Sequence, residues 1–303
     1  MWNKYKLIKK NPYDKQPLNG LGLIIYSNWN DSFIKIIQKN NVKHLFLNYS
    51  LGWKCSNYSF LKNMPQIETL DIIDVHSKEI KSVEQLCGLT TLNLNVPNVE
   101  DIDYSVFHNL KNVFCYGNIQ NDSLFACSGI EHLYIDNLKV RDNHRIANLK
   151  QLKSLTIANS NIESLEFFKE LILLEKIALL NCPKIHSFSE LSSLKKLKRL
   201  DIRGGKRLHD VSFLSNLYDI EIIIIETDRL VSIKPIAELK KIKALALFGK
   251  NFWIEDKDIT PINNLEELSM LDIPNRICYP VKINNDWNWI NYGIPRKKWL
   301  TKK

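Results

Sequence analysis

Apolar residues recur along the chain in a fixed order: one, a second three residues later, and a third two residues after that. The last two are separated by a single residue, which is the alternation expected of a short β-strand with one buried face. Eleven such units follow one another at intervals of 20 to 26 residues, and they begin at Val42, Ile67, Leu89, Leu110, Ile130, Leu152, Leu174, Leu197, Leu217, Ile242 and Leu268. Leu18, Leu21 and Leu23 form a degenerate twelfth candidate. The pattern predicts a repeat protein in which each unit contributes one strand.

A second period lies between the predicted strands, where apolar residues are spaced by three, as in Ile162, Leu165, Phe168, Leu171 and Leu174. This spacing suits a 3₁₀ helix, whose side chains eclipse at i and i+3, better than an α-helix. Each unit is therefore predicted to be a strand, a turn and a 3₁₀ or short helical return. One unit is too small to bury its own apolar face, so we expect the units to stack around a shared apolar column.

This arrangement resembles the leucine-rich-repeat family, specifically its short class of about 22 residues, found in internalins and related bacterial proteins. Residues 208–217 are similar to the internalin return segment, and residues 152–162 carry the LxxLxL core followed by an asparagine. The resemblance implies an α/β solenoid with a parallel β-sheet on its concave face and 3₁₀ or short helical returns on its convex face. The family often has an asparagine nine residues into the unit, whereas here that place is taken by Asn118 in one unit and by Ser160 and Cys182 in two others. We therefore expect irregular turns after the strands.

The ends of the chain differ from its middle, because all seven tryptophans lie outside residues 54–252. A solenoid must cover the open ends of its apolar column, and large aromatic side chains do so with few residues. The sequence predicts an N-terminal cap over 1–41, repeats over 42–275 and an aromatic, basic C-terminal cap over 276–303. Residues 31–39 are predicted to form a short capping helix. A ligand site built from the tryptophans is the alternative.

The formal net charge of +9 is confined to the two ends, since residues 1–15 carry +4 and residues 296–303 carry +5. A nucleic-acid-binding protein usually has a basic stripe along its binding face. We therefore predict no specific nucleic-acid partner and interpret the ends as solvated tails. Weak attraction of phosphate by these tails is the alternative.

The six cysteines include no CxxC pair, which is typical of reduced thiols in a cytoplasmic protein, with distant disulfides left open. The first ten residues lack an apolar run of signal-peptide length, and no stretch of about 18 apolar residues occurs. We therefore expect a cytoplasmic protein without a membrane-spanning helix. The sequence also lacks nucleotide-binding, metalloprotease and hydrolase motifs, so we predict no enzyme activity, no cofactor and no metal site.

The candidate binding surface is the strand face that points away from the core. Counting each unit from its first apolar residue, positions 4 and 6 point inward, and positions 3, 5 and 7 project outward. Two zones and two separate residues are predicted to bind a partner. They are an aromatic zone of Phe114, Tyr116, His132 and Tyr134, a charged zone of Arg199, Asp201, Arg203, Asp219 and Glu221, and the separate residues Phe46 and Asp136. Exposed aromatic clusters commonly anchor interfaces, although these rings would also pack on each other across strands.

These observations favour a non-enzymatic protein-binding module that is a monomer on its own. The most specific hypothesis is a bacterial cytoplasmic immunity protein that binds and neutralises a toxin. The alternatives are an effector delivered into host cells and a regulatory subunit of an intracellular enzyme. A leucine-rich-repeat ubiquitin ligase is disfavoured, because the 28 residues after the last repeat are too few for a catalytic domain.

Overall fold

The structure is a computed structural model that describes residues 4–55, 57–76, 79–96, 102–116, 122–138, 140–286, 288 and 299–302. Trp2, Trp287, Trp289, Asn118 and the basic residues 296–298 therefore lie outside the described part of the chain. The chain forms two compact units, Met1–Asn137 and Leu138–Lys303.

The first unit contains one sheet of seven strands in the order β1 to β7. Its strands are β1 (Tyr5–Lys10), β2 (Pro17–Ile25), β3 (Val42–Asn48), β4 (Thr69–Ile73), β5 (Thr91–Asn95), β6 (Asn112–Cys115) and β7 (His132–Asp136). Strands β1 and β2 form an antiparallel hairpin, and the following strands pair in parallel. The helices are α1 (Ser32–Lys39) and the single turn α2 (Ser123–Ala126).

The second unit contains a parallel sheet in the order β8, β9, β10, β11, β13 and β15. These strands are β8 (Ser154–Ala158), β9 (Lys176–Leu180), β10 (Arg199–Arg203), β11 (Ile222–Glu226), β13 (Ala244–Phe248) and β15 (Met270–Asp272). Two short pairs complete it: β12 (Arg229–Leu230) with β14 (Trp253–Ile254), and β16 (Val281–Ile283) with β17 (Leu300–Lys302).

The returns between strands are mostly 3₁₀ helices, as the period of three predicts. They span Tyr49–Leu51, Ser59–Asn63, Lys81–Gln85, Tyr104–Val106, Val140–Asn148, Glu166–Glu170, Ser189–Ser193, Ser212–Asn216, Lys234–Ile236 and Thr260–Asn264. The run from Ile162 to Leu174 illustrates the reason, because its apolar residues spaced by three are all fully buried. Side chains three apart lie on one edge of a 3₁₀ helix, and that edge faces the apolar column.

The turns after the strands in the second unit are more regular than expected. Asn159, Asn181 and Gly204 occupy position 8 in successive repeats and share a left-handed backbone, with φ of 48°, 54° and 68°. Asparagine and glycine adopt this conformation at low energetic cost. The regular turn was therefore indicated in the sequence by asparagine at position 8, one residue before the position at which the family often has it. Ser160 follows at position 9, where its hydroxyl donates to Ala158 O at 2.6 Å and accepts from Leu138 N at 2.9 Å.

The N-terminal cap is an aromatic cluster around α1. Phe33 and Ile37 of the helix are buried, Trp53 is fully buried, and Trp29 stacks on Phe60 with ring centroids 3.7 Å apart. The backbone N–H of Ser32 donates to Asn30 Oδ1 at 2.8 Å at the start of the helix. Trp29 and Trp53 therefore both belong to the aromatic cluster at this end of the chain.

Two sequence alignments of the repeats were wrong by a few residues. Strand β2 aligns Leu23 with Leu45 and Ile25 with Leu47, so the inward pair of the first strand is not Leu21 and Leu23. Strand β11 aligns Ile223 with Leu200 and Ile225 with Ile202, so this repeat begins at Ile220 and not at Leu217. Leu217 belongs to the preceding return. The run Ile222 to Ile225 fits either register by sequence alone. The pairing of β11 with β10, which buries Ile223 and Ile225, selects one of the two registers.

The register of β11 predicts different costs for two neighbouring isoleucines. Ile223 is fully buried, so Ile223→Ala should lower the free energy of unfolding by about 2–5 kcal/mol. Ile222 lies on the other face and is partly exposed, so Ile222→Ala should cost about 1 kcal/mol or less. Urea denaturation of the two variants measures both values. A larger loss of unfolding free energy for Ile222→Ala than for Ile223→Ala would instead support the register in which this repeat begins at Leu217.

Candidate protein-binding surface

The four residues of the predicted aromatic zone lie on β6, directly after it, and on β7, and Asp136 is the last residue of β7. Phe114 pairs with Tyr134 across the strands, and their ring centroids are 6.5 Å apart. Tyr116 lies closer to Tyr134, at 4.9 Å. All three rings are partly exposed, whereas their strand neighbours Val113 and Leu133 are buried on the opposite face. We call Phe114, Tyr116 and Tyr134, with His132 and Asp136 beside them, the aromatic patch.

Burial raises the pKa of the Tyr134 phenol to about 12, and Tyr116 and Asp136 add to the shift. The pKa of Tyr116 is also raised, first by burial and then by the negative charges of Asp71 and Asp136. Both phenols therefore stay neutral at physiological pH and present hydroxyl groups with their rings.

Asp71 on β4 is the buried carboxylate of this face, with 4% of its surface exposed. The Tyr13 hydroxyl donates to Asp71 Oδ1 at 3.0 Å, and Asn93 Nδ2 donates to Oδ2 at 2.5 Å. Burial raises the pKa of Asp71 to about 6, although both hydrogen bonds act in the opposite direction. The outward position of Asp71 could be predicted from its place at position 5 of the repeat. Its hydrogen-bond partner Tyr13 could not be predicted, because it lies 58 residues away in the chain.

Phe46 is not available to a partner, contrary to the prediction. It lies on the outward face of β3, yet only 2% of its surface is exposed. The β1–β2 hairpin covers it: Tyr13 contacts its ring edge-on at 6.2 Å, and a Cβ built on Gly22 would lie 3.2 Å from the ring. The same Cβ would lie 2.9 Å from Ile8, so Gly22 leaves the space in which the hairpin and Phe46 pack together.

The predicted charged zone is only partly assembled. On β10, Arg203 donates to both oxygens of Asp201, with Nε to Oδ1 at 2.8 Å and Nη2 to Oδ2 at 3.1 Å. Arg199 Nη2 approaches Oδ2 at 3.5 Å. The hydrogen bonds with Asp201 raise the pKa of Arg203, so the strand carries a bidentate clamp on a carboxylate that is itself buried.

Asp219 and Glu221 do not belong to this face, which corrects their assignment. Both residues precede β11, because that repeat begins at Ile220. Asp219 pairs with Lys241 at 2.6 Å, and Glu221 pairs with Lys243 at 3.0 Å. Their expected placement came from the register error.

Position 2 of the repeats holds a charge ladder that the sequence analysis missed. Lysine and glutamate of neighbouring repeats pair there: Lys43 with Glu68, Lys111 with Glu131 at 2.9 Å, Lys198 with Glu175 at 2.9 Å, and Lys243 with Glu221. The sequence shows lysine or glutamate directly after the first apolar residue of most units, the exceptions being Thr90, Tyr218 and Ser269. Exposed pairs contribute about 1 kcal/mol or less each, so we assign the ladder to repeat alignment.

The described residues also bear on whether the chain could hold a metal ion, span a membrane, be cross-linked by disulfides or bind a small ligand. Among the described residues, no group of three or more His, Cys, Asp or Glu side chains is placed to hold a metal ion. No helix in the described part of the chain is long and apolar enough to cross a membrane. The six cysteines form no disulfide. An open cleft lined by Trp29, Phe60, Lys54 and Lys62 lies beside the N-terminal cap, where a tryptophan-based site was the alternative.

No protein-family model matches the sequence, and no curated protein sequence matches it at a significant level. Solved structures are similar in fold. An internalin from Listeria monocytogenes shares 21% identity over 78% of this chain and 77% of its own, with a TM-score of 0.57. A leucine-rich-repeat protein from Leptospira interrogans shares 16% identity over 88% of this chain and 69% of its own, with a TM-score of 0.67. The predicted leucine-rich-repeat fold is confirmed.

A plant protein has the same fold at lower coverage of its own chain. The ectodomain of the Arabidopsis thaliana receptor kinase GASSHO1/SCHENGEN3, solved in complex with Casparian strip integrity factor 2, shares 14% identity. The match covers 85% of this chain and 35% of that one, with a TM-score of 0.53. The fold is thus shared by bacterial and plant proteins.

The raised pKa of Asp71 predicts a specific pH dependence of stability. The pKa of an aspartate in an unfolded chain is about 3.9. Between about pH 4 and 6 the Asp71 carboxyl therefore binds a proton more tightly in the folded protein than in the unfolded chain. The resulting stabilisation is complete below about pH 4 and is lost as the pH rises through about 6. Relative to Asp71→Asn, which does not titrate, wild-type stability should fall over this window by an amount on the order of 3 kcal/mol.

Urea unfolding of both proteins at several pH values checks this expectation. Tyr13→Phe serves as a second variant: it removes a hydrogen bond that lowers the pKa of Asp71, so the upper limit of the window should rise while its lower limit, set by the unfolded chain, stays in place. A difference between wild type and Asp71→Asn that is independent of pH would contradict the assignment.

Proposed function

We propose that this chain is a non-enzymatic protein-binding module whose partner docks on the aromatic patch. The observation that carries the proposal is the cluster of three partly exposed rings: Phe114 on β6, Tyr116 directly after it, and Tyr134 on β7. Tyrosine and phenylalanine give large contact areas at low entropic cost, and such residues dominate the energetics of many interfaces. The fold supports this proposal, because a stacked sheet presents a broad surface to another protein.

We further propose a more specific role, a bacterial immunity protein that acts in the cytoplasm as a monomer and neutralises a toxin. The sequence motivates it by combining a repeat array with the absence of catalytic motifs. The fold likeness to two bacterial proteins is compatible with it. The test is to express a toxin encoded beside this gene in bacteria, with and without the chain. Survival that depends on the chain supports the role.

Identifying the captured partner from the native cell separates the remaining roles. Recovery of a toxin supports the immunity role. Recovery of an enzyme native to that cell would instead indicate a regulatory subunit, and a host-cell protein would indicate an effector. Either of the last two results overturns the immunity role but leaves the protein-binding module in place.

The aromatic patch is tested by the double variant Phe114→Ala/Tyr134→Ala. Both side chains lie outside the core, so the melting temperature should change little. Interface aromatics commonly contribute about 2 kcal/mol or more each, so affinity for the natural partner should fall on the order of a thousandfold. The contrast is Leu133→Ala, which truncates a side chain that is 3% exposed and should cost about 2–5 kcal/mol of stability.

Melting curves and partner titrations of both variants give the answer. A double variant that is stable and binds normally would remove the aromatic patch from the interface. A double variant that melts like Leu133→Ala would show that the rings belong to the core.

A further inference from the structure

We propose that the sheet face of the first unit recognises a positively charged side chain, arginine or lysine, of the partner protein. This inference rests on the proposed function and specifies the chemistry of the partner. The site consists of the aromatic patch together with Asp71 and Asn93, and we call it the acidic aromatic face.

The first argument is the composition of the face. Positions 3, 5 and 7 of β3 to β7 carry two carboxylates, Asp71 and Asp136, and no lysine or arginine. The formal net charge of +9 is confined to residues 1–15 and 296–303, so this face is locally acidic within a neutral body. Complementary charge on a partner increases the rate and specificity of association.

The second argument is an unsatisfied acceptor. Asn93 Nδ2 donates to Asp71, which fixes the orientation of the amide. Asn93 Oδ1 is buried and has no hydrogen-bond donor among the described residues. Buried acceptors normally have a partner. Arginine and lysine carry donors and no acceptors, so either one complements an acceptor beside a carboxylate better than a neutral amide or hydroxyl group does.

The third argument is the position of the rings. Asn93 pairs with Phe114 across β5 and β6, and Phe114 pairs with Tyr134 across β6 and β7. The ring of Tyr116 lies 4.9 Å from that of Tyr134, and the negative charges of Asp71 and Asp136 add to the effect of burial in raising the pKa of Tyr116. Aromatic faces attract cations, and the attraction strengthens when the cation is desolvated. The rings and carboxylates therefore favour the same kind of ligand group.

The experiment uses the full chain and four synthetic Gly-Ser peptides that differ only at a central residue pair: arginine, lysine, citrulline or glutamate. Citrulline has the shape of arginine without its charge. Binding is followed through the NMR signals of the tyrosine rings. The arginine and lysine peptides should shift the signals of Tyr116 and Tyr134, whereas the citrulline and glutamate peptides should not.

The variants separate local recognition from general electrostatics. Asp71→Asn/Asp136→Asn should weaken binding of the arginine peptide by about tenfold or more. The matched control Asp103→Asn/Asp210→Asn neutralises two exposed carboxylates in the returns and should leave binding unchanged. Circular dichroism confirms that each variant is folded.

Three results would overturn the proposal: no binding of the arginine peptide, equal binding of the citrulline peptide, or equal losses in the face variant and its control. The proposed function is judged separately, by the binding of the natural partner to Phe114→Ala/Tyr134→Ala. If that variant loses the partner while the charge variants keep it, the docking surface stands and its anchor is not a cation.

Discussion

Every other feature of this protein depends on the inability of one repeat to bury its own apolar face. A strand of five residues contributes two inward side chains, and these become buried only against the strands and returns of neighbouring repeats. Leu200 and Ile202 show the consequence: both belong to β10 and are buried on its inward face, and β10 pairs with β9 on one side and β11 on the other. Because the inward positions are fixed by stacking, the outward positions are free to vary, and the differences between repeats accumulate on that face.

Polar groups at the edges of the strands reinforce the same alignment. The charge ladder at position 2 pairs a lysine of one repeat with a glutamate of a neighbouring repeat, and the Ser160 hydroxyl accepts a hydrogen bond from the backbone of the preceding turn. Individually these contacts are weak, but a slip of one residue would break them and would also turn the inward side chains to the exposed face. Register is therefore specified twice, by burial and by charge.

The repeat type, the strand positions and the 3₁₀ returns were predictable, because periodic apolar residues report burial directly. The prediction failed where periodicity was ambiguous. Around Leu217 and Ile220 the spacing of the return continues into a run of isoleucines, and only pairing with β10 distinguishes Ile222 from Ile223. The prediction also failed where a segment that is distant in the chain, the β1–β2 hairpin, covers the outward face of β3. No local pattern indicates that Tyr13 reaches Asp71, so the burial of Phe46 beneath the hairpin was not foreseeable from the sequence.

The two predicted zones differ in how their polar groups are satisfied, and this difference decides which is the better binding surface. On β10, Asp201 is held by two guanidinium groups of its own strand, so a partner that used this carboxylate would first have to displace them. On β4 and β5, the donors Tyr13 and Asn93 occupy Asp71, but Asn93 Oδ1 still lacks a donor among the described residues. A surface whose charges are matched internally gains little from a charged partner, because binding exchanges one pair for another. The first unit instead combines partly exposed rings with one buried acceptor that has no donor among the described residues, so a cation that reaches this acceptor adds an interaction without displacing an existing pair.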